Sequence, residues 1–185
     1  PNLAIDVPRG IALLERALAA GDQEAPLELA RALTRAEDEA SWRRGRAMLE
    51  ELVPSLPERD PALGWSLVDL GRVEALLGDH AAGRRHLEEA ARYPNDALLV
   101  LADLLDTGVL PRDQEEAWGI WTSVLDGELA MARHGDAGAM RRAARLIEAG
   151  RGCQADPAAA TWWRDRGRGV LRGQVEPVLR RERSS

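Results

Sequence analysis

Few residues in this chain could carry out metal or acid–base chemistry. Its histidines are His80, His86 and His134, at spacings of 6 and 48 residues. These spacings put no two of them one helical turn apart, so the paired histidines of a helical metal site are absent. None of the 25 basic residues is lysine, which excludes Schiff-base chemistry and phosphate loops that need a lysine. We therefore expect neither a metal nor a cofactor.

Two short motifs resemble parts of enzyme sites, but their surroundings differ from what the chemistry needs. Ser66 follows a glycine by two positions, as in a nucleophile elbow, yet Val68 stands where the second glycine is required and no strand precedes it. Residues 150–155 spell the glycine pattern of a dinucleotide-binding loop, but a predicted helix precedes them instead of a strand. Within this loop, we predict that Cys153 is a buried, inert thiol. The chain is thus not expected to be an enzyme.

The composition predicts a helical fold. Ala, Leu, Arg and Glu account for 100 of the 185 residues, whereas Phe is absent and Tyr occurs once. The first four are good helix formers, and sheets draw on the β-branched and aromatic residues that are scarce here. We predict an all-α fold, with residues 1–185 forming a single helical-repeat domain.

Charge and hydropathy exclude two classes of partner. The formal net charge is −6, and most of the chain would repel nucleic acid. The longest apolar run, residues 97–102, is far shorter than the ~20 residues that cross a bilayer, so no membrane span is expected.

The chain begins at Pro1 instead of Met, which suggests a trimmed N-terminus. Localisation stays unknown: a soluble cytoplasmic protein is slightly favoured, and a periplasmic one is possible because a removed signal peptide would leave no trace.

A helical signature recurs four times. It consists of an apolar residue, a small residue and a third position one turn later, beginning at Leu29, Leu70, Leu101 and Ala143. A second amphipathic stretch follows each signature, at residues 40–53, 80–92, 115–125 and 158–168. These pairs predict helical-hairpin repeats at residues 24–56, 60–94, 96–127 and 136–168. An N-terminal helix at residues 8–22 and a C-terminal cap helix at residues 170–183 would cover the ends.

The turns between the predicted helices carry their own signals. Gly78 can take the left-handed conformation that ends a helix, and Asp79 can cap the next one. Gly108 and Asp113 play the same parts in the third repeat, where a glutamate three residues after the aspartate completes a capping-box spacing. In the fourth repeat Asp156 precedes a proline, which suits the first position of a helix.

The repeats resemble a known superfamily. Residues 65–94 look like a tetratricopeptide repeat, whose packing positions are held by Leu70, Gly71, Gly78, Leu87 and Ala90. The third and fourth repeats are similar to the Sel-one-like variety, through Gly108, Asp113, Ala117 and Trp121 and through Gly150, Gly152, Cys153, Asp156, Ala160 and Trp163. The resemblance covers residues 24–168 and implies a right-handed superhelical α-α solenoid of about four helical hairpins with terminal capping helices. It also implies bacterial roles in signalling, envelope or polysaccharide assembly, or effector neutralisation.

In such arrays the first helix of each hairpin lines the concave side, which gives a row of candidate partner-binding residues. The row consists of Arg31, Trp65, Val68, Arg72, Leu99, Asp103, Arg141 and Arg145. Arginine can hold a carboxylate through two hydrogen bonds, and the apolar members could receive apolar side chains. We hypothesise that the row binds an acidic or C-terminal segment of a partner. Alternatively, these are ordinary solvent-facing or inter-repeat residues.

The expected function is a non-enzymatic scaffold or adaptor that binds a partner protein or peptide in its concave groove. A first alternative is an immunity-like or chaperone-like protein that inhibits one dedicated enzyme. A second is a carbohydrate-binding module that uses exposed tryptophans, although the tryptophans can equally fill the space between hairpins. Neither nucleic acid nor a small molecule is an expected ligand.

Overall fold

The computed structural model describes residues 7–93 and 96–169 together with Leu179. These residues form α-helices and one short 3-10 helix, Val53–Ser55, and contain no strand. The helices are α1 (Val7–Ala19), α2 (Ala25–Thr34), α3 (Glu39–Leu52), α4 (Pro61–Leu76), α5 (His80–Ala90), α6 (Ala97–Thr107), α7 (Gln114–Arg133), α8 (Ala137–Ala149) and α9 (Pro157–Gly167). The all-α class predicted from the composition is confirmed. None of the described helices is long and apolar enough to cross a membrane.

The chain divides into two compact units, Pro1–Arg112 and Asp113–Ser185, which we call unit 1 and unit 2. Unit 1 contains α1 to α6, and unit 2 contains α7 to α9. The division falls inside the predicted third repeat, residues 96–127, so the repeat boundaries and the single domain stay predictions. The predicted cap helix at residues 170–183 lies outside the described residues except for Leu179, which packs against the buried core of unit 2.

Within each unit, helices that follow each other in the chain pack together. In unit 1, α2 packs against α3 and α4 against α5, which is the pairing expected of helical hairpins. There α1 packs against α2, and α6 packs against both α4 and α5. In unit 2, α8 packs against both α7 and α9. Within a unit, short connections therefore place each helix beside the next one in the chain.

The predicted capping residues act as expected. The Asp113 carboxylate accepts a hydrogen bond from the Glu116 N–H at 2.9 Å, and Asp79 and Asp156 cap α5 and α9 in the same way. Gly78 has φ 87°, in the left-handed region that suits glycine. These turns are confirmed because they depend on residues close together in sequence.

Helix α7 is longer than its sequence pattern predicts. The amphipathic stretch at residues 115–125 was expected to end the third repeat, but the helix continues to Arg133. Its buried stripe also continues, since Leu129 and Ala132 follow Trp121 and Leu125 at spacings of one helical turn. Predicting an end at residue 125 is therefore wrong, because the apolar face that α7 buries extends for two more turns.

Helices α4 and α5 approach so closely that glycine is required on both. A Cβ atom on Gly71 would lie 2.8 Å from the carbonyl oxygen of Gly83, and a Cβ atom on Gly83 would lie 2.6 Å from that of Gly71. Both distances are shorter than any normal contact, so a larger residue would force the helices apart. Gly71, a packing position predicted in the second repeat, is thus a point of backbone contact between the two helices.

Tryptophan and leucine fill the cores, as expected for a chain without Phe. Trp121 and Trp163 are buried in unit 2, while Trp118, three residues before Trp121, and Trp162, directly before Trp163, are half-buried. The rings of Trp162 and Trp163 meet edge to face with centroids 4.8 Å apart. One tryptophan of each pair is therefore a core residue, and the other is only partly buried.

We predict that Gly83→Ala destabilises unit 1. The new Cβ atom would meet backbone rather than a flexible side chain, so α5 must shift away from α4 at a cost of about 1–3 kcal/mol. Urea denaturation followed by circular dichroism measures this loss. The matched control is Gly10→Ala in α1, where a Cβ atom meets nothing within 4 Å; it should leave stability unchanged or raise it by up to about 1 kcal/mol. Equal effects of the two substitutions would contradict the close approach.

The cap of α8 predicts an acid dependence of stability. The Ala139 N–H donates a hydrogen bond to the Asp136 carboxylate at 2.8 Å, which lowers the pKa of this carboxyl below its ordinary value of 3.8. Because the folded-state pKa is the lower one, the stabilisation is complete above the unfolded-state pKa and is lost as pH falls through the folded-state pKa. Asp136→Asn keeps an acceptor at the cap but cannot titrate.

Thermal unfolding of wild type and Asp136→Asn, measured from about pH 6 to about pH 2, checks this expectation. The melting temperature of the variant should fall less steeply in acid than that of the wild type. Parallel curves would show that the Asp136 carboxylate contributes no pH-dependent stability.

Candidate functional site

Asp69 lies in the middle of α4 and is the centre of a buried ionic cluster. Its side chain is only 6% exposed. Arg31 Nε of α2 donates to Asp69 Oδ2 at 3.1 Å, and the guanidinium of Arg35, which follows α2, donates to both carboxylate oxygens at 3.1 and 3.3 Å. Arg72, one turn after Asp69, donates to the carbonyl oxygen of Thr34. Two of the predicted partner-binding residues, Arg31 and Arg72, thus connect α2 with α4.

Burial affects the pKa of Arg72. Removal of its guanidinium from water lowers the pKa of this group, while the carboxylate of Asp69 acts in the opposite direction. An arginine remains charged even when its pKa falls, because the ordinary value is far above neutrality. Arg72 therefore keeps its positive charge at neutral pH.

Glu74, five residues after Asp69, forms a second buried contact on α4. Its side chain is 2% exposed, and its Oε2 atom lies 2.6 Å from Nδ1 of His86 on α5. Arg46 of α3 approaches the other carboxylate oxygen at 3.9 Å and also pairs with Asp79, the cap of α5, at 3.2 Å. One buried glutamate and its partners thereby connect three helices.

Sequence reasoning missed both buried acids, although one of them left a signal. The fifth position of the helical signature is Leu33, Leu105 and Ile147 in the other repeats and Glu74 in the second. An acid at a position that is otherwise apolar indicates a buried charge with a partner. Asp69 gave no comparable signal, since it stands outside the signature.

The other predicted binding residues of unit 1 lie on α4 and α6. Trp65, Leu99 and Asp103 are half-buried. Val68 is 6% exposed and belongs to the core, because α4 is covered on several sides by α2, α3, α5 and α6. Val68 therefore offers no surface to a partner in this structure.

Arg141 and Arg145 lie one turn apart on the exposed face of α8. The opposite face of this helix is buried through Ala139, Ala143 and Ile147 among others. Within the part of unit 2 that the structure describes, neither arginine makes a hydrogen bond or an ion pair. Arg141 is close enough to Asp136 to contribute to its lowered pKa, after the larger effect of the Ala139 N–H.

Neighbouring arginines of unit 2 have internal partners. Arg142 donates to Glu128 at 2.6 Å, and Arg164 donates to Glu148 at 2.8 Å. Arg151 lies over the ring of Trp121, with its guanidinium carbon 4.2 Å from the ring centroid. Arg141 and Arg145 thus differ from these neighbours because neither makes a hydrogen bond or an ion pair with the described residues.

The glycine loop between α8 and α9 packs tightly against α7. A Cβ atom on Gly152 would lie 2.5 Å from the carbonyl oxygen of Trp121, and Gly152 has φ 78°. Cys153 is fully buried, as predicted. Close backbone contact accounts for the glycine that gave this loop its likeness to a dinucleotide-binding motif.

The histidines lie on separate helices or turns. His80 begins α5, His134 follows α7, and both are exposed, whereas His86 contacts Glu74. Among the described residues, no three His, Cys, Asp or Glu side chains are grouped so that they could hold a metal ion.

Comparisons of the chain with models of known protein families, with curated proteins and with solved structures found no match. The resemblance of its repeats to tetratricopeptide and Sel-one-like repeats therefore stays a prediction.

We predict that Asp69→Ala strongly destabilises unit 1. Removal of the carboxylate leaves Arg31, whose side chain is 18% exposed, without its buried counter-charge. Breaking a buried pair in this way typically costs 3–5 kcal/mol, and the half-exposed position of Arg35 suggests a value near about 3 kcal/mol. Urea denaturation followed by circular dichroism gives the change.

Glu28→Gln is the matched control, because Glu28 pairs with the same Arg31 but is 56% exposed. Its effect should be below about 1 kcal/mol. If both substitutions cost equally little, the Asp69 cluster does not hold α2 against α4.

Proposed function

We propose that this chain is a non-enzymatic protein-interaction scaffold, and that the exposed face of α8 binds an acidic segment of a partner protein. The observation that supports this proposal is the pair Arg141 and Arg145, which has no hydrogen bond or ion pair among the described residues. Two like charges one turn apart on a helix weaken that helix slightly. An acidic ligand would remove this repulsion.

The chemistry of the pair suits carboxylates. Residues four apart on a helix have Cβ atoms about 6 Å apart, so two guanidinium groups can each grip one carboxylate of the same segment. The buried face of α8, which includes Ala139, Ala143 and Ile147, fixes the direction in which the arginines point. A fixed platform loses less conformational freedom on binding than a mobile loop does.

Arg31 and Arg72 are left out of this proposed surface. Both contact groups within unit 1, namely Asp69 and the Thr34 carbonyl. A partner would have to displace these contacts before it could use either arginine. The proposed acid-binding surface is therefore confined to Arg141 and Arg145.

The finer description of the fold also belongs to the proposal. It is a right-handed α-α solenoid of tetratricopeptide-like or Sel-one-like hairpins, and the packing of α2 against α3, of α4 against α5 and of α8 against α9 supports its hairpins. By contrast, a carbohydrate-binding role has no such support. The large apolar side chains exposed in the described part of the chain are Leu13, Leu18, Leu98 and Met131, and none is tryptophan.

The proposal is tested with the double variant Arg141→Glu/Arg145→Glu. The probe is a fluorescently labelled synthetic helical peptide with glutamates four residues apart, and fluorescence anisotropy measures its affinity. Loss of two charge-assisted contacts should weaken binding at least about tenfold, and added salt should weaken binding to the wild type.

The control variant Arg59→Glu/Arg92→Glu makes the same change in net charge at two exposed positions of unit 1. It should retain most of the affinity. If the α8 variant and the control bind the peptide equally well, or if the wild type does not bind it at all, the proposed site is wrong.

A further inference from the structure

A cleft lies at one end of the α2–α3 pair in unit 1, where α2 begins and α3 ends. Its apolar lining is formed by Pro26 and Leu27 of α2, by Leu52 at the end of α3, and by Leu56 just after the 3-10 helix. We call it the α2–α3 cleft. Its volume is about 380 Å³, which is within the usual range for a site that receives a ligand group.

The apolar side chains that line the cleft are continuous with the hydrophobic core of unit 1. Leu27 and Leu52 pack against the buried cluster of Ala30, Leu49 and Leu70. Both leucines, as well as Leu56, remain half-buried. An apolar side chain placed in the cleft would therefore extend an existing hydrophobic cluster and remove apolar surface from water.

The rim of the cleft is negatively charged. Glu24 and Glu28 line it and are exposed, and no arginine lines it. Glu28 contacts Arg31 at 3.3 Å, but the Glu24 carboxylate makes no hydrogen bond or ion pair with any residue that the structure describes. Because the cleft lies where α2 begins and α3 ends, the opposite partial charges of these two helix ends offset each other, and the negative charge of the rim comes from its glutamates.

Charge over a larger part of the chain has the same sign. Residues 1–110 contain 12 arginines and 20 acidic residues. A partner that approaches the cleft would therefore be attracted if it is basic and repelled if it is acidic.

We propose that the α2–α3 cleft binds a basic, amphipathic segment of a partner protein, with a leucine-sized side chain in the cleft and arginine or lysine against Glu24. This surface is separate from the acid-binding face proposed on α8, and its ligand has the opposite charge. The chain would then be an adaptor with two surfaces of opposite preference, one in each unit.

Two synthetic helical peptides test the proposal, one with leucines four residues apart between arginines, and one with glutamate in place of every arginine. Each is added to full-length protein with isotopically labelled leucine methyl groups. The basic peptide should shift the NMR signals of Leu27, Leu52 and Leu56, and the acidic peptide should leave them in place. Failure of both peptides to shift these signals would overturn the proposal.

A variant locates the charge that is recognised. Glu24→Arg should weaken binding of the basic peptide about tenfold. Glu58→Arg makes the same charge change at an exposed position outside the cleft and should bind nearly as tightly as the wild type. Equal affinities of the two variants would show that the rim of the cleft does not recognise the peptide.

Self-association is the other possible occupant. If the three leucine signals move with protein concentration in the absence of peptide, a second copy fills the cleft and the proposal is wrong. Because the α8 variant does not alter these residues, its result stays independent of this experiment. Either proposal can thus fail without the other.

Discussion

The burial of two carboxylates on α4 is the constraint on which unit 1 depends. The side chains of Asp69 and Glu74 are 6% and 2% exposed, and a buried carboxylate without partners would be far too costly to keep its charge. Their partners come from α2, from α3 and from α5. These three helices are therefore each held in the position that brings an arginine or a histidine to the acid.

Such contacts do more to select an arrangement than to add stability. Desolvation of both charges offsets much of the attraction in a buried ion pair, whereas a shifted helix would leave a carboxylate without a partner. A second constraint is steric, since Gly71 and Gly83 bring the backbones of α4 and α5 into contact. On α4, the charges and the glycines thus limit how its neighbours can slide or rotate.

Features that depend on residues close together in the sequence could be predicted, whereas contacts between distant residues could not. Helix caps such as Asp79 and Asp113 depend on residues three positions away, so the predictions were correct. Arg31 and Asp69 are 38 residues apart, and no local pattern pairs them. The prediction that Val68 binds a partner assumes that only one face of its helix is covered. Helix α4 is instead covered on several sides. In α7 the difference is local, because the apolar stripe continues beyond Leu125 through Leu129 and Ala132.

The excess of arginine over lysine has different consequences in the two units. In unit 1, arginine can be buried beside Asp69 because it stays charged where burial lowers its pKa, as at Arg72. A lysine in the same place would lose its proton more readily. On α8, Arg141 and Arg145 face solvent and make no hydrogen bond or ion pair with the residues that the structure describes. An arginine that is paired with a buried acid of the same protein holds helices together, as beside Asp69. An arginine that makes no such pair is available to a partner protein. The contacts of each arginine therefore distinguish the two roles, which the composition alone cannot do.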